Sequence, residues 1–162
     1  MLNKIRLIGL GAGMAVVAAF LVFVVWIQKG ATPHLAGAIT NVRTLGMDES
    51  SSVAIVDLRF TNDSDHPFVV GSTAMSVVDA TGAAHDGQVI AADYIGQLFQ
   101  LFPALGVRVG EPVIFKTRIR AHASFVGVLA ARFEVPKADL DGRQKLTLSI
   151  GDVDGAVSQI TR

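Results

Sequence analysis

From Leu7 to Ile27 the chain reads LIGLGAGMAVVAAFLVFVVWI without one charged residue, and no other feature constrains the molecule as tightly. At 1.5 Å rise per residue, a helix of this length covers roughly 30 Å, the hydrocarbon thickness of a bilayer. The run predicts a single transmembrane helix over residues 7–28, preceded by residues 1–6. A cleaved signal peptide is the rival, because Ala36-Gly37-Ala38 has the small-x-small form of a cleavage site. The apolar core of such a peptide is usually about 7 to 15 residues long and ends closer to its site. Trp26 and Lys29 instead sit where interfacial anchor residues belong. Lys4 and Arg6 precede the run while Lys29 alone follows it closely, so the positive-inside bias leaves the N-terminus in the cytoplasm. The expectation is a single-pass protein of a bacterial inner membrane, with its domain in the periplasm or outside.

Most of the excess behind the 51% hydrophobic content sits in that run, and the remainder has the composition of an ordinary globular domain. Basic and acidic residues balance at 14 each, which gives no electrostatic pointer to a nucleic-acid partner. Three of the bases lie before residue 30, so the rest of the chain carries an acidic excess that does not favour anionic lipid either. Cysteine is absent, which removes disulfides, thiolate metal sites and cysteine nucleophiles together. Stability then has to come from a core, and about 130 residues suffice to bury one.

Inside the apolar run, Gly9 and Gly13 fall four residues apart, as do Gly11, Ala15 and Ala19 on another face. Small residues at that spacing let a second helix approach, so Gly9, Gly13 and Ala15 are candidate packing positions for self-association or a protein partner. The plainer explanation is that Gly and Ala are common in membrane helices.

Residues 29–37 contain Gly and Pro without hydrophobic period and read as a linker to a domain at 38–162. Beyond it, short runs rich in Val, Ile, Phe and Thr predict strands at 38–45, 52–61, 68–79, 112–120, 124–135, 145–151 and 156–161. Ala54, Val56, Leu58 and Phe60 alternate with Asp57 and Arg59, as in a sheet buried on one side. The same alternation puts Phe115 and Ile119 inward, with Lys116, Arg118 and Arg120 outward as a basic stripe whose ordinary use is cross-strand pairing with acids. Leu146, Leu148 and Ile150 repeat the pattern, and Asp154-Gly155 predicts a terminal hairpin.

One segment breaks the β pattern. From Asp93 to Phe102, Tyr94, Ile95, Leu98, Phe99, Leu101 and Phe102 recur at helical spacing until Pro103 stops them. The expected role is a helix laid over an open edge or end of the sandwich. Tyr94, Leu98, Phe99 and Phe102 are also the candidate interaction surface, since so much aromatic area on one short element calls for a cover.

Chemistry is hard to find. His34, His66, His85 and His122 form no ligand pair at metal spacing, so the expectation is no metal and no cofactor. Asp63 with Asp65, and Asp152 with Asp154, could supply oxygen ligands to calcium, but neither extends into an EF-hand pattern, and turn formation accounts for both. No GxSxG elbow or recognisable triad occurs, so no catalytic residues are expected.

The phrases DLRFTND, SVVDATG, LFQLFPAL, VIFKTRIR and GVLAARFEVP resemble bacterial membrane-anchored domains of unknown function. Those domains have an immunoglobulin-like sandwich of the telomeric-repeat-factor-like or immunoprotective extracellular type. The resemblance spans about residues 38–151 and implies an antiparallel β-sandwich with one short inserted helix. It also implies that Gly127, before FEVP, lets a long strand bend; it brings no activity and no catalytic residues. The functional expectation is a non-enzymatic module that binds a protein partner, as an accessory or assembly subunit of an envelope complex. The alternative is a binding module for a small apolar or lipid ligand held between the sheets beside the helix.

Overall fold

Residues 34–162 are described by a computed structural model. The expected transmembrane segment at 7–28, residues 1–6, and the packing positions Gly9, Gly13 and Ala15 lie outside the described residues. Among the described residues no helix is long and apolar enough to cross a membrane.

The described residues form nine strands, the longer ones rich in β-branched and aromatic residues: β1 (Leu35–Gly46), β2 (Ser52–Asn62), β3 (Phe68–Val78), β4 (Ala84–Val89), β5 (Glu111–Pro112), β6 (Arg118–Ile119), β7 (Ser124–Phe133), β8 (Lys145–Asp152) and β9 (Val157–Thr161). Two helices interrupt them, α1 (Ala92–Leu101) and α2 (Lys137–Asp141), with a 3-10 turn at Pro103–Leu105. The strand order is β1-β2-β7-β4-β3-β8-β9, with β5 added parallel to β7 and β6 added to β3. β4 is the corner. Its Ala84–Gly87 part pairs with β3, and its Gln88 and Val89 cross to β7. The mainly-β sandwich that results is nearly closed, because the two end strands approach each other. The Leu35 amide of β1 donates to Ser158 Oγ of β9 at 3.0 Å, and Arg162 Nη1 donates to the Ile39 carbonyl at 3.3 Å.

The main core lies between the layers and is apolar throughout. Ala54, Val56, Leu58 and Phe60 of β2 meet Phe68, Val70, Met75 and Val77 of β3 and Leu146, Leu148 and Ile150 of β8. Leu140 of α2 is fully buried among them. Burial of a side chain such as Phe60 or Leu148 is worth about 1.5–3 kcal/mol.

Several sequence expectations need correction. β1 begins at Leu35, so the last three residues of the expected linker belong to the ladder with β2. β4 and α2 were not legible: β4 shows no apolar alternation, and α2 has five residues. The segment 112–120 is not one strand. Only Glu111–Pro112 and Arg118–Ile119 pair, and between them a turn is closed by the Thr117 amide donating to the Ile114 carbonyl at 3.0 Å. Lys116 occupies that turn at φ 67°, so Ile119 is buried as expected while Phe115 stands exposed. β2 is also not buried on one side only, since Val53, Ile55 and Asp57 on its outer face are buried too.

No bulge interrupts β7 at Gly127, because the β2–β7 register runs unshifted from Ser52↔Phe133 to Thr61↔Ser124. A Cβ there would lie 2.7 Å from both the Phe125 ring and a Val113 methyl. Close packing requires the glycine. The Asp154-Gly155 hairpin is as expected, with Gly155 at φ 93° and the Asp152 amide bonded to the Ala156 carbonyl at 2.7 Å.

Candidate interaction surface

The helical spacing of the Asp93 to Phe102 segment produces α1, one residue offset from expectation. Ala91 is extended (φ −62°, ψ 148°), and Asp93 places a carboxylate in the first turn, where the helix dipole favours it. At the other end Pro103 has no amide to continue the ladder, and Phe102 N–H closes on the Leu98 carbonyl at 2.9 Å.

α1 covers no sheet edge. It lies on the outer face of β2 and β7, where Ile95 and Leu105 pack with Val53, Ile55, Val128 and Ala130 into a second, thinner apolar layer. Ile95 is the one buried residue of α1. The four candidate residues on this helix separate into two groups. Tyr94, Leu98 and Phe102 line an open groove of about 520 Å³ together with Leu101 and Met47. Gln88, Gln97 and Arg132 supply its polar lining, and Arg132 is paired with Glu134 at 3.2 Å. Phe99 does not line the groove; its ring covers the Arg43 guanidinium at 5.2 Å. The groove lies outside the main core, so it is not the cavity between sheets that the ligand alternative anticipated.

A second depression of about 300 Å³ shares Val89, Ile90 and Ala91 with the first and is bounded by Val113, Ile114 and Phe115. Five exposed large apolar side chains, Met47, Tyr94, Leu101, Ile114 and Phe115, therefore line two depressions with one common wall. These five side chains are grouped rather than scattered singly over the surface.

Beneath Phe99 lies a polar pair that sequence reasoning missed. Arg43 Nη2 donates to Asp57 Oδ2 at 2.6 Å, and the Asn41 amide reaches the same oxygen at 3.3 Å. A register shift in β1 between Ile39 and Asn41 sets Asn41 opposite Asp57 and Arg43 opposite Ile55, two residues along the same face. Arg43 Nη1 and Asp57 Oδ1 are buried without a hydrogen-bond partner. A charged pair with unsatisfied atoms costs stability relative to an apolar filling. In the sequence Asp57 looks like Arg59, a charged residue on the outer side of β2, and nothing local marks it as buried.

The histidines lie elsewhere. His85 Nε2 is 2.8 Å from Asp79 Oδ2, and His122 Nε2 is 2.9 Å from Asp65 Oδ1, and neither pair lines the depressions beside α1. Asp79 shapes the β3–β4 turn, and its carboxyl is held below the usual range, first by the Thr81 hydroxyl and then by His85. Asp152 accepts from the Val69 and Asp154 amides, which makes it a turn residue. Among the described residues no three His, Asp or Glu side chains gather as a metal site.

No family model matches the sequence, and no curated protein matches it. Solved structures do share its outline. An uncharacterised β-sandwich protein from Clostridium difficile 630 is 10% identical, with 78% of this chain and 84% of that one covered at a TM-score of 0.40. The yjhA protein of Bacillus subtilis is also 10% identical, covering 79% and 91% at 0.47. The archaellum periplasmic stator protein FlaG of Sulfolobus acidocaldarius is 10% identical, covering 81% and 100% at 0.37. At such identities none of the three lends this chain a function.

Proposed function

We propose that the chain is a non-enzymatic, single-pass membrane protein whose immunoglobulin-like domain lies outside the cytoplasm and binds a protein partner through the groove beside α1. The observation that carries this reading is the clustering of Tyr94, Leu101 and Met47, 61%, 71% and 49% exposed, around a groove already floored by Leu98 and Phe102. Rigid exposed aromatic and aliphatic side chains around a preformed apolar recess are the usual anchors of a protein interface.

Membrane attachment rests on the uncharged run at 7–27 and its flanking cations. Retention of that run is supported by β1. Cleavage after Ala38 would remove Leu35, which is 2% exposed in the main core and hydrogen-bonded to Ser158. An accessory or assembly subunit of an envelope complex fits both features.

The test is solubilisation from native membranes, followed by size analysis and identification of co-purifying chains, for the parent and for Leu101→Ser and Tyr94→Ser. The expected result is a defined heteromeric complex that both substitutions dissociate while the fold is kept. A complex unaffected by either substitution, or a clean monomer of the parent, overturns the reading. A second reading has one supporting observation: a recess of about 520 Å³ with a mostly apolar lining also suits a small apolar ligand. Native mass spectrometry of the same material separates the two, because a ligand adds a small fixed mass and a partner adds a chain.

A further inference from the structure

Ile114 and Phe115 are adjacent at the tip of one turn and are 50% and 62% exposed. The tip is held in place. Val113 on one arm and Ile119 on the other are buried, the Lys116 amide donates to the Val70 carbonyl at 2.7 Å, and the Val70 amide donates to the Thr117 carbonyl at 2.9 Å. Lys116 takes the third position of this turn at φ 67°, a place that glycine or asparagine fills at less cost. Its ammonium lies 5.3 Å from the Phe115 ring, so the tip is apolar with a cation beside it.

Arg118 and Arg120 continue the pattern, both exposed and alternating with the buried Ile119. The expected cross-strand pairing with acids is not realised: among the described residues none of Lys116, Arg118 and Arg120 takes part in an ion pair. Asp65, in the neighbouring β2–β3 turn, is engaged by His122. The arm also has a defined place. Asn62 Nδ2 donates to the carbonyls of Ile119 and Arg120, each at 3.2 Å, and Asn62 is the residue opposite Leu35 in the β1–β2 ladder. The basic arm thus reaches the end of the domain at which the described chain begins.

We propose that the arm from Ile114 to Arg120 is a bilayer-contact element. Ile114 and Phe115 enter the boundary between headgroups and acyl chains, and Lys116, Arg118 and Arg120 meet the phosphates of anionic lipid. This rests on the reading of residues 7–27 as an anchor, which holds the chain at a bilayer. The acidic excess of the domain as a whole does not oppose it, because charges farther than about 10 Å are screened while the arm's three cations act at contact. Each basic residue beside an anionic leaflet adds about fivefold to partitioning.

The chain has no cysteine, so Phe115→Cys in the full-length protein takes a single environment-sensitive dye. Ala83→Cys, in the turn at the other end of β3, is the control. Both are reconstituted in vesicles of phosphatidylcholine alone or with phosphatidylglycerol. The expected result is a blue shift and protection from an aqueous quencher at 115 and not at 83, greater with phosphatidylglycerol. Lys116→Glu with Arg118→Glu and Arg120→Glu should reverse the lipid dependence. Dye at 115 that is as quenchable as dye at 83 in anionic vesicles, in a chain that resists alkaline extraction, overturns the proposal and leaves the anchor reading standing. Protection at 115 that appears only after a partner protein is added also overturns it and assigns the tip to a protein interface. Extraction of the chain by alkali refutes the anchor instead, and the arm is then read in the same way on vesicles to which the chain is added.

Discussion

The two faces of β2 differ although the strand is the same. Its inner face presents Ala54, Val56, Leu58 and Phe60, each fully buried against side chains from β3, β7 and β8. Its outer face presents Val53 and Ile55, then Asp57 in a polar pair with two unsatisfied atoms, under a helix that contributes one buried residue. The inner face follows every rule for a stable core, and the outer face breaks several of them beside an open apolar groove. Departures from local consistency gather where something other than stability is being served. The inner layer holds the fold, and the outer layer presents a surface.

The largest test of this contrast is Phe60→Ala, which should cost about 4 kcal/mol because it empties a site whose neighbours come from several strands. Urea unfolding reads it, and a loss near 1 kcal/mol would mean that the inner layer collapses to fill the void. Asp57→Ala should cost about 3 kcal/mol by stranding the Arg43 guanidinium. Joint replacement by Asp57→Leu and Arg43→Met should recover most of that loss; a double variant as unstable as the single one would show that the charge pair is not the cause. Ile95→Ala should cost about 2 kcal/mol. In the parent, amide exchange should show α1 opening at lower free energy than β2 and β7, so equal protection in helix and strands would erase the distinction between layers.

Smaller still are the effects of the exposed groove residues and of the turns. Leu101→Ala should change stability by no more than about 0.5 kcal/mol, as a surface substitution does, while weakening any partner held in the groove. The turn carboxylates give a pH dependence. Asp48 is lowered from 3.8 to about 2 by the Ser51 hydroxyl and then by the amide and hydroxyl of Ser50. A depressed carboxyl contributes stability above its unfolded value and loses it as pH falls through the folded one. The β1–β2 turn should therefore weaken between about pH 4 and pH 2. Urea midpoints across that window should fall less steeply in Asp48→Asn, and an unchanged slope would remove Asp48 from the account.

The inner faces of β2 and β8, the limits of α1 and the terminal hairpin were all readable in the sequence, since each is a local pattern: alternation, helical spacing before a proline, a turn dipeptide. β4 was not, because a corner strand that changes partners needs no apolar face of its own. Nor was the exposure of Phe115, which alternation places inside and which the turn at Lys116 carries out. Of the candidate surface, Tyr94, Leu98 and Phe102 line one groove, while Phe99 serves a residue fifty-six positions earlier, Arg43. That partner was invisible without the β1 register shift.

Taken alone, then, the chain's order of residues determined where the long strands and α1 form and which of their faces are apolar, because backbone sterics and side-chain periodicity act within a few neighbours. The tertiary structure decided which apolar faces are covered, which are left open around α1, and which charges meet beneath it. Those outcomes depend on contacts between segments far apart in sequence, and no local period encodes them.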